Sequence, residues 1–352
     1  MYDILFFEAL GEENGHLGEE IEKAKREGSL PGDLTYYIGT ETLQEYEEAH
    51  PIEPLPKIVS VKTHSVFRRE FLYCGEKKSI LTRSAGYDHV EAYQEIAHVA
   101  SLREYCVNAV AETALKLTLL AAGNVNEYQK NAAVMERNAC VSFRELAGRK
   151  AVVFGVGKIG KRIVELLSGI GMDVKGVDLR EKELKEQYGG TVAFGAPEDA
   201  FFADVIVCAM NYKSDRASRF YNKDYFSRGF LEKTKPGMIF VNVTRGELAD
   251  AEALLDLYDS GRIFGIGTDV FAEEASLAKT LREGCAPTDP VTRANLELIR
   301  RSTSREGNIY TQPHQAFNSD IAAEMKAKEA IRHLKAWFRN GGSFDEELPY
   351  YV

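Results

Sequence analysis

The sequence predicts an α/β protein built from two Rossmann-like, doubly wound domains, the first of them discontinuous, with a cleft between them. Three observations carry this reading. Short β-branched or aromatic runs alternate with amphipathic stretches along the whole chain, the pattern of βαβ units and parallel sheets. A chain of 352 residues is long enough for two domains of ordinary size. The alternation also falls into two series, separated by one long helix.

In chain order, the first series places strands at 4–7, 35–38, 58–62 and 79–83. The charged stretch 11–27 reads as a solvated helix face. From Asn108, the residues Val110, Ala114, Leu117 and Ala121 share one face of a 3.6-residue period that stops near Gly123-Asn124, which makes a helix crossing from one series to the next. The second series places strands at 151–156, 173–177, 205–209, 238–243, 263–269 and 309–312. Segment 278–306 reads as a surface excursion with its own helix, or equally as a dimer contact. A last helix starts after the N-cap cluster Asn318-Ser319-Asp320, carries Ile321, Met325, Ile331, Leu334 and Trp337, and stops at Asn340-Gly341-Gly342. Six strands complete a dinucleotide-binding domain, so this helix has no place there and returns to the first. The expected division is therefore a discontinuous first domain of residues 1–107 and 318–352, and a second domain of residues 108–317.

Composition removes several function classes. Lys and Arg number 44 against 54 for Asp and Glu, and the resulting net charge of −10, without a basic patch, repels phosphate backbones and anionic membranes. No nucleic acid or membrane partner is expected. The most apolar run, 114–123, is interrupted by Lys116 and Thr118 and is too short to span a bilayer. The first residues lack the basic region of a secretory signal, so a cytoplasmic location follows. Cys74, Cys106, Cys140, Cys208 and Cys285 are odd in number and never form a Cys-x-x-Cys pair, so they are expected to be reduced, mostly buried packing residues with no metal among them.

The cofactor signal is specific. A strand runs into Gly155-Val156-Gly157-Lys158-Ile159-Gly160, and Ile163, Leu166 and Ile170 follow at helical spacing. In such a G-x-G-x-x-G turn the first two glycines bring backbone N–H groups to a pyrophosphate, and the third lets the helix pack against the strand. A second strand ends in Asp178, where a carboxylate accepts hydrogen bonds from an adenosine ribose and repels a 2′-phosphate. NAD is the expected cofactor, with Arg180 the one nearby residue that reaches toward a 2′-phosphate.

Three further segments end strands with chemistry-bearing residues: Asn242-Val243-Thr244-Arg245-Gly246, Asp269-Val270-Phe271-Ala272-Glu273-Glu274 and Gln312-Pro313-His314. Ligands of open α/β sheets bind beyond the carboxyl ends of the strands, so these side chains are expected to converge near a nicotinamide. An arginine holds a carboxylate or carbonyl oxygen through its planar fork, a histidine transfers a proton near neutral pH, and a carboxylate beside that imidazole favours its charged form.

With Arg83-Ser84-Ala85-Gly86-Tyr87-Asp88 and Tyr105-Cys106-Val107-Asn108-Ala109-Val110-Ala111-Glu112, these motifs resemble the D-isomer-specific 2-hydroxyacid dehydrogenases, especially the D-lactate dehydrogenase branch, over residues 83–317. The resemblance implies an NAD-dependent enzyme reducing a small 2-oxo acid to the D-2-hydroxy acid, with Arg245, Glu274 and His314 catalytic. It further implies substrate contacts from Ala85, Gly86, Tyr105, Arg245 and Phe317, and cofactor contacts from Thr244, Met210, Asn211 and Asp269, the last at the nicotinamide carboxamide. It also implies a homodimer formed through the nucleotide domain and the crossing helix. The chain departs from the family in two places: Ala275 stands where proline usually follows the catalytic acid, which makes Glu273 the competing assignment, and Asn211 with a longer stretch through Lys213 and Arg216 replaces a proline after the fourth strand of the nucleotide domain. The alternative function class is an NAD-sensing, corepressor-like binding protein with vestigial activity.

Overall fold

Runs such as Ile58–Val61 and Val205–Cys208 are buried along their full length, as strands must be when helices cover both faces of a parallel sheet. The computed structural model describes residues 2–50, 55–68, 72, 76–287 and 289–350, and divides into two units, Met1–Cys106 with Asn318–Val352, and Val107–Phe317.

Unit 1 holds β1 (Ile4–Phe6), β2 (Tyr36–Ile38), β3 (Ile58–Val61), β4 (Lys78–Thr82) and β5 (Ala97–Ser101), all parallel, in the order β2-β1-β3-β4-β5. The chain leaves β1 toward β2 and then returns to the other side, so a topological switch point lies between β1 and β3. The period-two alternation sends Ile4 and Phe6 to one face, against Leu17 and Ile21 of α1 (Glu13–Arg26) and Ala327, Ile331 and Leu334 of α11 (Ala322–Arg339). Leu5 and Phe7 point to the other face, with Leu43 and Tyr46 of α2 (Leu43–Ala49).

Two parts of the sequence reading of this unit need correction. Strand β5 has no counterpart in the sequence reading, because its run Ala-His-Val-Ala-Ser has a single β-branched residue. Helix α1 has the solvated face expected of stretch 11–27, while its other side buries Glu13 along with Leu17, Ile21 and Ala24. Helix α11 is preceded by Ile321, with no side-chain cap, so Asn318-Ser319-Asp320 does not perform the capping expected of it.

Unit 2 holds β6 (Lys150–Phe154), β7 (Asp173–Val177), β8 (Val205–Cys208), β9 (Met238–Asn242), β10 (Ile263–Thr268) and β11 (Ile309–Thr311), all parallel, in the order β11-β10-β9-β8-β6-β7. Phe194 bridges Gly176 beyond β7, the stub of one more strand, and the switch point lies between β6 and β8. The helices are α3 (Val107–Gly123), α4 (Val125–Ala133), α5 (Lys158–Gly169), α6 (Glu181–Tyr188), α7 (Arg228–Leu231), α8 (Ala251–Asp259), α9 (Glu274–Glu283) and α10 (Pro290–Thr303). Segment 278–306 is more than a surface excursion: α10 sends Ala294 and Leu298 into the core of this unit.

Of the cysteines, Cys106 and Cys208 are buried and Cys140 and Cys285 exposed, all four free, so burial is not the general rule; Cys74 lies outside the described residues. Burial pushes the Cys208 thiol up to about 11, which leaves it protonated and inert. Among the described residues no helix is long and apolar enough to cross a membrane, and no group of His, Cys, Asp or Glu side chains could hold a metal ion.

Candidate active site

The glycine turn sits at the switch point of unit 2, between β6 and α5. Gly155 has φ +82°, and a Cβ there would lie 2.6 Å from the backbone of Met210. A Cβ on Gly160 would fall 1.8 Å from the Gly155 carbonyl oxygen, so only hydrogen allows helix and turn this approach. Gly157, by contrast, faces open space and is the N-cap of α5, with no side chain covering the helix end. Lys158 and Ile159 form the first turn of that helix, whose unsatisfied N–H groups favour an anion. A cradle closed on the protein side and open on the other fits a dinucleotide pyrophosphate.

Asp178 follows β7 and is bonded locally: Oδ2 accepts the Val156 N–H at 2.8 Å and Oδ1 the Arg180 N–H at 2.9 Å. This fixes the carboxylate beside the glycine turn. Arg180 lies with Nε 3.8 Å from Asp178 and Nη1 3.3 Å from Glu183. After β8, the longer stretch that begins at Asn211 is closed by Asn222, which donates to the Asn211 carbonyl at 2.7 Å and accepts from the Lys213 N–H at 2.8 Å. Asn222 was not singled out from the sequence, since nothing in its spacing marks it as a loop clasp.

Beyond β10 and β11, His314 Nδ1 lies 2.8 Å from Glu274 Oε2. The other Glu274 oxygen accepts the Phe271 N–H at 3.2 Å. Glu274 thus makes the contact, and the adjacent Glu273, exposed and with φ +56°, does not. Burial pushes the Glu274 carboxyl up, but the hydrogen bond and charge of His314, the Phe271 N–H and the charge of Arg245 outweigh it, and the group sits below the usual range. An ionised carboxylate only accepts hydrogen bonds, so the imidazole donates from Nδ1 and presents Nε2 outward.

Backbone geometry supports each of these side chains. His314 itself has φ +54°, and its N–H donates to the Asp269 carbonyl at 2.6 Å. The fully buried Asp269 carboxylate accepts the N–H groups of Gln315 at 3.0 Å and Ala316 at 2.9 Å, holding the turn that carries His314. Burial raises the Asp269 carboxyl above its ordinary range despite those N–H donors and the charge of His314. Arg245 follows β9; Asn242 donates to its carbonyl at 2.9 Å and accepts the Thr244 N–H at 3.2 Å. Asn295 of α10 donates to the Ala272 carbonyl at 2.9 Å, bracing the loop that carries Glu274. The supporting roles of Asn242, Asn295 and Asp269 escaped the sequence reading because each depends on partners brought by the fold.

Phe317, half-buried, ends unit 2. In unit 1, Ala85 and Gly86 form a turn after β4, held by the Ser84 hydroxyl donating to the Gly86 carbonyl at 2.8 Å. Tyr105 packs against the α1 and α11 face of that unit.

The D-isomer specific 2-hydroxyacid dehydrogenase, NAD binding domain family matches residues 115–316, more than half of the chain. The D-lactate dehydrogenase of Lactiplantibacillus plantarum is 26% identical over 269 residues, covering 75% of this chain and 76% of that one. The 2-hydroxyacid dehydrogenase A of Aspergillus oryzae is 28% identical over 272 residues, covering 76% and 73%. Among solved structures, the D-lactate dehydrogenase of Aquifex aeolicus, complexed with NAD and lactic acid, superposes with a TM-score of 0.75 at 22% identity, covering 96% of both chains. An NAD-sensing corepressor finds no support in these comparisons.

Proposed function

This chain belongs to the D-isomer-specific 2-hydroxyacid dehydrogenase family, and on that premise we propose that it reduces a small 2-oxo acid to the D-2-hydroxy acid, with His314 as proton donor. The enzyme is an NAD-dependent oxidoreductase acting on CH–OH donors. The observation that carries the proposed site is the 2.8 Å contact between His314 Nδ1 and Glu274, with the Arg245 charge acting on the same carboxylate.

Bound NADH supplies the hydride; the chain's own residues do the rest. Gly155, Gly157, Lys158, Ile159 and Gly160 cradle the pyrophosphate, and Asp178 faces the adenosine ribose. Met210, Asn211 and Thr244 approach the nicotinamide side, where Asp269 acts mainly by fixing the His314 turn. Arg245 holds the 2-oxo acid through carboxylate or ketone oxygen and polarises the carbon that is reduced. Ala85 and Gly86 offer backbone N–H groups to the substrate carboxylate, and Tyr105 and Phe317 form walls. His314 gives the Nε2 proton to the developing alkoxide, while Glu274 accepts from Nδ1 and fixes the tautomer and orientation of the ring. In the reverse direction the neutral imidazole takes that proton back.

The proposal includes a cytoplasmic homodimer formed through unit 2 and α3. Supporting it are the exposed apolar residues Leu119, Tyr128, Val134, Met135 and Phe143 on and after α3 and α4. Loss of NADH absorbance with pyruvate as substrate tests the reaction. His314→Asn should lower kcat at least ~100-fold with NADH binding intact, as general acid catalysis is worth about 10²–10⁴; a variant with wild-type turnover would remove the assignment.

A further inference from the structure

In unit 1, the loop that follows β4 is held by a line of side-chain hydrogen bonds ending on its own backbone. Thr82, the last residue of β4, is fully buried, and its Oγ1 lies 2.8 Å from Ser84 Oγ and 2.9 Å from His89 Nε2. The Ser84 hydroxyl in turn donates to the Gly86 carbonyl at 2.8 Å.

The direction of this line follows from counting hydrogens. A carbonyl only accepts, so the single hydroxyl proton of Ser84 is committed to Gly86. Ser84 Oγ must then accept from Thr82, which commits the Thr82 proton as well, and Thr82 Oγ1 accepts from His89. The order is His89 to Thr82, Thr82 to Ser84 and Ser84 to Gly86, and it requires a proton on His89 Nε2. Hydrogen bonds aligned head to tail around a buried hydroxyl polarise one another, so the last of them holds more firmly than an isolated serine bond.

The surroundings leave the middle of the loop dependent on this line. Arg83 and Tyr87, on either side, are buried, and the Arg83 N–H donates to the Val61 carbonyl at 2.7 Å. Leu102, just past β5, donates its N–H to the carbonyls of Thr82 at 3.2 Å and Ser84 at 3.1 Å. The fully buried Val90 donates to the Tyr87 carbonyl at 3.0 Å, and the ring of Tyr350 meets that of Tyr87 edge-on at 5.3 Å. Between these anchors Ala85 and Gly86 are half-buried, and among the described residues neither of their N–H groups has an acceptor. Glycine samples more backbone conformations than any other residue, so a Gly86 N–H that must face a ligand needs a restraint from outside its own backbone. The serine bond to its carbonyl is such a restraint.

We propose that His89, Thr82 and Ser84 are positioning residues for substrate binding: their directed hydrogen bonds fix the Gly86 carbonyl, so that the Ala85 and Gly86 N–H groups meet the substrate carboxylate in one orientation. The inference rests on the reading of Ala85-Gly86 as the turn that binds this carboxylate. The three side chains act through the turn, and hydride and proton transfer are unchanged.

The test is steady-state kinetics with NADH and pyruvate. Ser84→Ala and Thr82→Val each raise KM for pyruvate about tenfold, the effect of leaving a buried partner without its hydrogen bond. They keep kcat and NADH affinity near those of the wild type, because binding that is equal in the ground and transition states moves KM alone. Ser84→Thr retains the hydroxyl and the wild-type KM. Combining Thr82→Val with Ser84→Ala raises KM no further than either change alone, since both cut the same line. His89→Gln keeps a side-chain N–H donor and holds KM within about threefold of the wild type, whereas His89→Leu raises it about tenfold. A merely structural role would lower Tm and the active fraction, hence the apparent kcat, and leave KM where it was.

An unchanged KM in Ser84→Ala and Thr82→Val, or effects that multiply in the double variant, overturns the proposal and leaves the reductase reading standing. Where a variant does not fold, the wild-type enzyme decides: nuclear magnetic resonance of isotope-labelled histidine in alkali must find the neutral His89 ring protonated on Nε2, and a proton on Nδ1 instead overturns the line. No NADH oxidation with any 2-oxo acid removes the reaction itself, and this positioning role with it.

Discussion

At the residue scale, the decisive contact is between a histidine and an acid 40 positions apart in sequence. Glu274→Gln keeps the shape of the carboxylate but removes its charge, so the imidazolium loses its stabilising partner. Reduction should then lose about tenfold or more in kcat, because the ring is no longer held in its proton-donating orientation; an unchanged kcat would separate Glu274 from His314. The carboxyl of Glu274 sits below its usual range, so its support for the site is present at neutral pH and is lost only on strong acidification. Arg245→Gln should raise KM for the 2-oxo acid and lower kcat together, by ~100-fold or more in kcat/KM, because the lost interaction serves both binding and polarisation. Motif order made these three residues legible in the sequence. Glu273 is the competing assignment on the same loop, and the 2.8 Å contact to the imidazole is made by Glu274.

At the element scale, the loops carrying the site are braced by close packing. Gly246, next to Arg245, approaches so near the 271–272 backbone that a Cβ would lie 1.9 Å from the Ala272 nitrogen. Gly246→Ala must therefore push the β9 loop away from the β10 loop that carries Glu274. We expect a loss of ~10²-fold in kcat with NADH affinity largely kept, measured by steady-state kinetics and fluorescence titration. The sequence showed a glycine after the arginine but not the backbone it would meet.

In unit 1, helices α1 and α11 are tied through Glu13 and Lys326. Glu13→Gln leaves buried cations uncompensated and should cost about 3–5 kcal/mol by denaturant unfolding. Lys326→Met should act in the opposite direction. With a folded value of about 8 against ~10.4 when unfolded, this lysine binds its proton less readily in the native state, where Lys62, Arg83, Glu13 and Cys106 surround it. Its penalty is complete below about pH 8 and fades as pH rises toward 10, so the Tm gain of the variant should be largest near pH 7 and shrink in alkali. A Tm loss at pH 7 would mean that packing of the lysine stem outweighs its charge.

At the scale of the whole molecule, a ligand that binds only the native state adds RT ln(1 + [L]/Kd) to stability, about 2.7 kcal/mol at a hundredfold excess over Kd. NADH should therefore raise the melting transition of the unit that carries the glycine turn, and Gly160→Ala, whose Cβ would meet the Gly155 carbonyl, should abolish the shift. A persisting shift in that variant would place cofactor binding elsewhere.

By itself the sequence determined the α/β class, two successive sets of parallel strands, the glycine turn with its acid, and the order of Arg245, Glu274 and His314. These are local patterns of hydrophobic period, turn chemistry and spacing, which a chain expresses within a few turns or strands. Only the tertiary structure decided that β5 completes a sheet, that Glu13 is buried beneath a charged helix face, that Asp269 anchors the turn of the histidine, and that Lys62 and Lys326 share one carboxylate. Each of these depends on which distant segments lie side by side, and burial, charge compensation and hydrogen-bond partners are properties of that arrangement rather than of any stretch of residues.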